Sequence, residues 1–360
     1  MKFDEIINMN PFFTHIDKKI NFQFDKFMEL TDFHKKHCTE YSKILQSMHF
    51  DIHSCKSIEQ IPYIPVQLFK EYDLKSISDE DVFKVMTSSG TTGQRVSKIF
   101  LNKETASQQT KVLSASVNSF IGKKRMPMLI IDSPSVLRDR ANFSARGAGI
   151  LGFSIFAREK VFALNDDMTL NVDGILSFLR KYESTPIFLF GFTYIIWLHF
   201  VKQLIDLHID IDLSKGILFH GGGWKKLVEH SVSEEHFRDI LNKNFSLRNV
   251  HNYYGMVEQT GSIFIECEYG HMHTSIFNDV LVRSTRDLSV LPPHHKGIIQ
   301  VFSILPSSYP GHSLLTEDEG EIIGLDGCPC GRTGTHFKIY GRLKNAELRG
   351  CSDTYEKPEK

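Results

Sequence analysis

Three apolar runs constrain the fold of this chain more than any other feature: "PMLIID" (127–132), "PIFLFG" (186–191) and "KGILFHGGGW" (215–224). Each is continuous rather than alternating, so neither face is left for water, and each reads as a strand buried on both sides. Helical segments lie around them, at "ETASQQTKVLSASVNSF" (104–120) and "DGILSFLRKY" (173–182). Strands alternating with helices argue for an α/β core. "PIFLFG" reads as leading into another strand, although the longer run from Ile187 to Val201 also reads as strand followed by helix. Residues 1–60 read as helical, and the two prolines of "IPYIPVQLF" make that segment extended or turning. Ser231 and Glu234 are spaced as a capping box ahead of "HFRDILNKNF". "RNVHNYYG" and "GSIFIECE" read as short strands, and the last third, with "GIIQVFSIL" and "EGEIIGL", turns β-rich.

Several function classes drop out. The apolar run at 187–201 falls short of the roughly 20 residues of a spanning helix and contains His199, and "MKFDEIINMN" has no apolar signal core. A cytoplasmic protein without a membrane span is therefore expected. With 42 basic and 43 acidic residues and no block of like charge, nothing marks a nucleic-acid surface. Six cysteines in 360 residues are too few for a disulfide scaffold and point to metal or thiol chemistry.

Three loops carry candidate chemistry. "SSGTTG" (Ser88, Ser89, Gly90, Thr91, Thr92, Gly93) has no Lys-Ser/Thr after it and is not a Walker loop. It still holds the parts of a phosphate cradle, with glycines that expose backbone N–H groups and hydroxyls that donate to anionic oxygens. A plain Ser/Thr/Gly surface turn reads equally from composition. "HGGGWKK" puts Gly221, Gly222 and Gly223 after a strand, where a flat ligand can lie on bare backbone or the chain can simply cross over tightly. "NYYGMVEQTG" offers Tyr254, a turn at Gly255, and Glu258 as a carboxylate for a hard cation, or else a solvated turn.

In order and content these loops resemble the adenylate-forming superfamily, and "NYYGMVEQTGSIFIECE" followed by "CPCGRTG" is most similar to its phenylacetate-CoA ligase branch. The resemblance implies an α/β core of mixed sheets with flanking helices and a β-rich subdomain, built to bind ATP and Mg²⁺. It implies a triphosphate on Ser88–Gly93, adenine near Gly221–Gly223, and the segment Tyr254–Glu258 beside the nucleotide. It further implies a ribose on Asp318 of "LLTED" and a hinge at "GRLKNAELRG" with Arg342 near the nucleotide. The sequence departs from the family pattern at Val257, where a threonine is usual, and in ending soon after Gly350, so the expectation is a core with the C-terminal lid domain essentially absent. The expected division is a core domain over 1–345 and a short tail over 346–360.

A tail cysteine taken alone reads as an incidental surface thiol. With "HGGGWK", "YYGMVEQTGSIF" and "RGCSDT" together, however, the chain resembles the acyl-protein synthetases of bacterial bioluminescence fatty acid reductase complexes. That resemblance implies activation of a long-chain fatty acid and its capture as a thioester on Cys351, with Arg349 and Lys344 favouring the thiolate. It implies acyl reductase and acyl-transferase subunits as partners in a hetero-oligomer. Two other readings remain: a ligase that uses free coenzyme A, and a non-catalytic nucleotide-binding scaffold. Phe188, Phe190, Phe192, Tyr194 and Trp197 are candidates for an acyl slot or for plain core. Cys328 and Cys330, with Cys267 and His273 (His271 as second choice), make a possible four-ligand structural zinc site.

Overall fold

A computed structural model describes residues 3–12, 16–88, 95–138, 145–223 and 232–343. Three short strands come first: β1 (Ile64–Pro65), β2 (Lys84–Thr87) and β3 (Lys98–Leu101). A parallel block is next, made of β4 (Met126–Ile131), β5 (Ala157–Phe162), β6 (Ile187–Phe192), β7 (Gly216–Gly221) and β8 (Asn249–Tyr254). The remainder are β9 (Phe264–Glu266), β10 (Met272–His273), β11 (Asn278–Arg283), β12 (Gly297–Ser303), β13 (Ser313–Leu325) and β14 (Thr335–Arg342).

All but β2 and β3 join one mixed sheet, in the order β11-β12-β13-β14-β10-β9-β8-β7-β6-β4-β5, with β1 added in parallel to β13. The expected α/β core with a β-rich part is present, and among the described residues the two parts share the large sheet, joined where β9 pairs antiparallel with β8, while β2 and β3 form a second, small sheet. β4 and β6 are buried at all six positions, which is why their sequences do not alternate. Helices Lys103–Ile121, Val172–Lys181 and Glu234–Phe245 accompany the parallel block.

Two expectations about local structure change. The residues after Phe192 are helical, Thr193 through Asp206, rather than a further strand. The helix at 234–245 is capped by Ser233, whose side chain accepts from the His236 N–H at 3.1 Å; Ser231 lies outside the described residues. Phe188 and Phe190 are fully buried, with Phe153 stacked on Phe190 at 4.3 Å and Phe188 edge-on to Phe219, so these two rings are core. Trp197 packs against Phe237.

Within the parallel block β5 lies on one side of β4 and β6 on the other. Strand order therefore reverses beside β4, and in such sheets ligands bind outside the carboxyl ends of the strands near that reversal. Asp132, fully buried just past β4, is held there by Arg146 at 2.8 Å.

Candidate active site

β8 leads into the site. It ends at Tyr254, and an added Cβ at the next residue, Gly255, would lie 2.9 Å from Ile263. The chain then makes a single 3₁₀ turn, Val257–Gln259, that carries Glu258. Tyr254 donates its hydroxyl to Asp318 Oδ2 at 2.6 Å, joining residues 64 apart. Burial and the nearby Asp318 charge hold the phenol well above its usual range, so it stays a donor. Asp318 on β13 pairs in register with Arg342 on β14, and Arg342 makes a 3.6 Å ion pair with Glu317. The structure thus brings Tyr254, Asp318 and Arg342 together.

Glu258 is 5% exposed. Its backbone is fixed, with Tyr309 donating its hydroxyl to the Glu258 carbonyl at 2.8 Å and the Gln259 amide reaching the Gly311 carbonyl at 2.9 Å. Its carboxyl forms no ion pair among the described residues. Burial pushes its pKa up, against the Ser97 hydroxyl and the more distant charges of Lys70 and Arg342. A desolvated carboxyl without a direct counterion, beside a hydroxyl, suits a hard divalent cation.

Ser97, whose buried hydroxyl acts on this carboxyl, closes the first loop through its backbone. β2 and β3 form an antiparallel pair whose register ends at Thr87 and Lys98. Ser88 and Ser97 close the loop, the Ser97 N–H bonding Ser88 Oγ at 2.9 Å and the Ser88 N–H bonding the Ser97 carbonyl at 3.1 Å. Ser88 therefore stands beside Ser97 at the base of this loop. Ser89, Gly90, Thr91, Thr92 and Gly93 lie outside the described residues. Sequence reasoning missed Ser97 and Tyr309. The only trace of Ser97 is its place at the far end of the same hairpin loop.

The glycine turn completes the floor. An added Cβ at Gly221 would lie 2.6 Å from the Tyr253 ring, so only glycine lets β7 and that ring meet. Gly222 has φ +77°, which favours glycine, and Gly223 has no atom within 4 Å of a would-be Cβ. Beneath them, Thr193 Oγ1 bonds His220 Nδ1 at 2.9 Å and the Gly221 carbonyl at 3.3 Å. Burial holds His220 neutral, with its pKa lowered to about 3. Bare backbone at Gly221–Gly223 adjoins Tyr253, and Tyr253 is followed by the Tyr254–Asp318 pair.

A second constellation lies along β9, β10 and the turn before β14. The ligand atoms of Cys267, His273, Cys328 and Cys330 all lie within 4.8 Å of one another. Cys267 and Cys328 sulfurs are 3.9 Å apart, and Cys330 Sγ is 3.3 Å from His273 Nε2. Burial pushes the Cys267 thiol up to about 12 and His273 down to about 3. Two thiols and an imidazole closed off from water, with a third sulfur at the edge as the fourth ligand, form a donor set that fits tetrahedral zinc. His271 instead faces Cys328 at 3.4 Å and His336.

The fold is that of a CoA ligase solved with an acyl-adenylate. The chain superposes on a 2-hydroxyisobutyryl-CoA ligase solved in an open conformation with 2-HIB-AMP and CoA, with a TM-score of 0.70 and 14% identity over 93% of this chain and 77% of that one. The same ligase in its thioesterification state gives 0.68 at 15% identity over 93% of this chain and 70% of that one. The family model for acyl-protein synthetase, LuxE, matches residues 2–358, and the chain belongs to that family. It is 23% identical over 309 residues to a long-chain-fatty-acid–luciferin-component ligase of Vibrio harveyi, covering 82% of this chain and 78% of that protein. Among the described residues no helix is long and apolar enough to cross a membrane.

Proposed function

We propose that this ligase activates a long-chain fatty acid with ATP and then holds the acyl group on its own Cys351. The observation that carries the first step is the convergence of Glu258, Ser97 and the Tyr254–Asp318 pair beside the glycine turn. A fatty carboxylate oxygen attacks the α-phosphorus, the bond to the bridging oxygen breaks, and pyrophosphate leaves with its electron pair. Asp318 and Tyr254 receive the ribose, Gly221–Gly223 the base, and Ser88 with the rest of its loop the phosphates. Glu258 would hold Mg²⁺, which when bound neutralises phosphate charge. The chain's own part is therefore positioning and fixed electrostatics.

In the second step the Cys351 thiolate attacks the acyl carbonyl and AMP leaves. Cys351, Arg349 and Lys344 lie outside the described residues. Support comes from the other thiols. Cys38, Cys55, Cys267 and Cys328 are buried, and Cys330, half-buried, belongs to the metal-type cluster. Burial and the cluster disfavour these five as acyl acceptors, which favours the sixth. The tail over 346–360 would then deliver the thioester from the core domain (1–345) to an acyl reductase subunit in a cytoplasmic complex that also contains an acyl-transferase. Fatty-acid-dependent ATP–pyrophosphate exchange tests the first step. It is expected with long-chain acids and Mg²⁺, and a chain that binds ATP but never exchanges would be the scaffold of the alternative reading. Release of all acyl product as a coenzyme A thioester, with none on protein, would favour the coenzyme A ligase.

Zinc at Cys267, His273, Cys328 and Cys330 would be structural, tying the β9–β10 hairpin to the turn before β14. Metal analysis of protein purified without chelator is expected to give one zinc per chain. Cys328→Ser is expected to lose it and to lower Tm. Metal-free wild-type protein with an unchanged Tm would retire the site.

A further inference from the structure

We infer that Lys70 is a phosphate-binding residue of this site, placed to hold the β- and γ-phosphates of ATP and the departing pyrophosphate. The inference rests on the proposed adenylation chemistry and adds a residue that no motif marks.

Lys70 belongs to a single helical turn, Leu68–Glu71, whose position is set from several sides. β1 runs parallel to β13, with Pro65 opposite Leu315, and the Val66 N–H bonds the Leu315 carbonyl at 2.9 Å. This places the turn alongside the strand that carries Asp318. The Gln67 amide donates to the Glu317 carboxylate. Buried Phe69 meets Tyr309 edge-on, and Tyr309 holds the Glu258 backbone. Glu71 pairs with Arg95, on the far side of the Ser/Thr/Gly loop, at 2.6 Å.

The charges around the site differ in whether they are already engaged. Arg95 is paired with Glu71, Lys98 with Asp73, and Arg342 with Glu317. Lys70 is exposed and its ammonium makes no ion pair or side-chain hydrogen bond among the described residues. Its charge nevertheless reaches the Glu258 carboxyl. A lysine is a compact, mobile point charge, suited to follow phosphate oxygens as their charge grows. As the carboxylate oxygen bonds the α-phosphorus and the bridging bond breaks, negative charge accumulates on pyrophosphate, and the three N–H donors of Lys70 are available to it.

The test uses the full chain with Lys70→Ala and Lys70→Arg, measuring ATP and AMP affinity by titration calorimetry and the kinetics of pyrophosphate exchange. Loss of one charge-assisted contact is expected to weaken ATP and pyrophosphate about tenfold to a hundredfold. AMP, which lacks the β- and γ-phosphates, should bind the Ala variant as it binds wild type, and Lys70→Arg should recover most of the loss. Equal losses for ATP and AMP would show a merely structural residue, and wild-type ATP affinity and exchange in Lys70→Ala would overturn the inference while leaving the adenylation reading intact. Wild-type protein that neither binds ATP nor exchanges would overturn both.

Discussion

Glu258→Gln is expected to lower fatty-acid-dependent pyrophosphate exchange by about a hundredfold or more, the common cost of one lost electrostatic contact at a reacting centre, while the protein remains folded. The two side chains are nearly the same size, and the bonds that fix this turn go to the Glu258 carbonyl and to Gln259 rather than to the carboxyl. Burial raises the carboxyl pKa, so the folded state disfavours the charged form. Removing that charge should leave Tm unchanged or slightly higher. Activity and stability therefore move independently, which a packing role would not produce. The raised pKa also gives a pH signature. Only the ionised form ligates a cation, so apparent Mg²⁺ affinity should fall as pH drops through that pKa, at a higher pH than for an ordinary glutamate, and added Mg²⁺ should restore exchange. Wild-type exchange in a folded Glu258→Gln protein would remove Glu258 from the metal site.

Cys351→Ser should divide the two steps completely. Exchange is expected at the wild-type rate, because every residue of the proposed nucleotide pocket, from Lys70 to Arg342, precedes the tail. Hydroxylamine-labile acyl label on the protein should vanish, since a serine hydroxyl with no adjacent base is a far weaker nucleophile than a thiolate. Delivery to a reductase partner should vanish with it. Label that persisted would have to sit on another thiol, and burial of Cys38, Cys55, Cys267 and Cys328 makes that a demanding outcome. Loss of exchange as well would show that the tail helps close the adenylation site.

The parallel strands were legible because burial on both faces writes an unbroken apolar run, as in β4 and β6. The same property left the stretch after Phe192 open between a further strand and a helix. "TYIIWLHFV" is apolar nearly throughout, so periodicity cannot separate strand from buried helix, and packing decides for helix. The cap before residue 234 was misplaced by two positions because Ser231 and Ser233 both precede the helix, and only backbone geometry selects Ser233. In the site, Tyr254, Asp318 and Glu258 were recognisable as motif residues, and the fold brings them together. Ser97, Tyr309 and Lys70 were not, since their meaning comes from β2–β3 closure and from β1 lying along β13, pairings with no local signature. The cysteine–histidine set lay between. Its spacing matches no standard finger, yet pairing of β10 with β9 and β14 delivers His273 beside Cys330.

The central claim, activation followed by self-acylation, is tested most directly by intact-protein mass spectrometry after incubation with ATP, Mg²⁺ and a long-chain fatty acid. The account predicts a mass gain of one fatty acid less water, dependent on ATP, reversed by neutral hydroxylamine and mapped by proteolysis to the peptide containing Cys351. An unchanged protein mass while ATP is converted to AMP and pyrophosphate, or an acyl group mapped to any other residue, would contradict it.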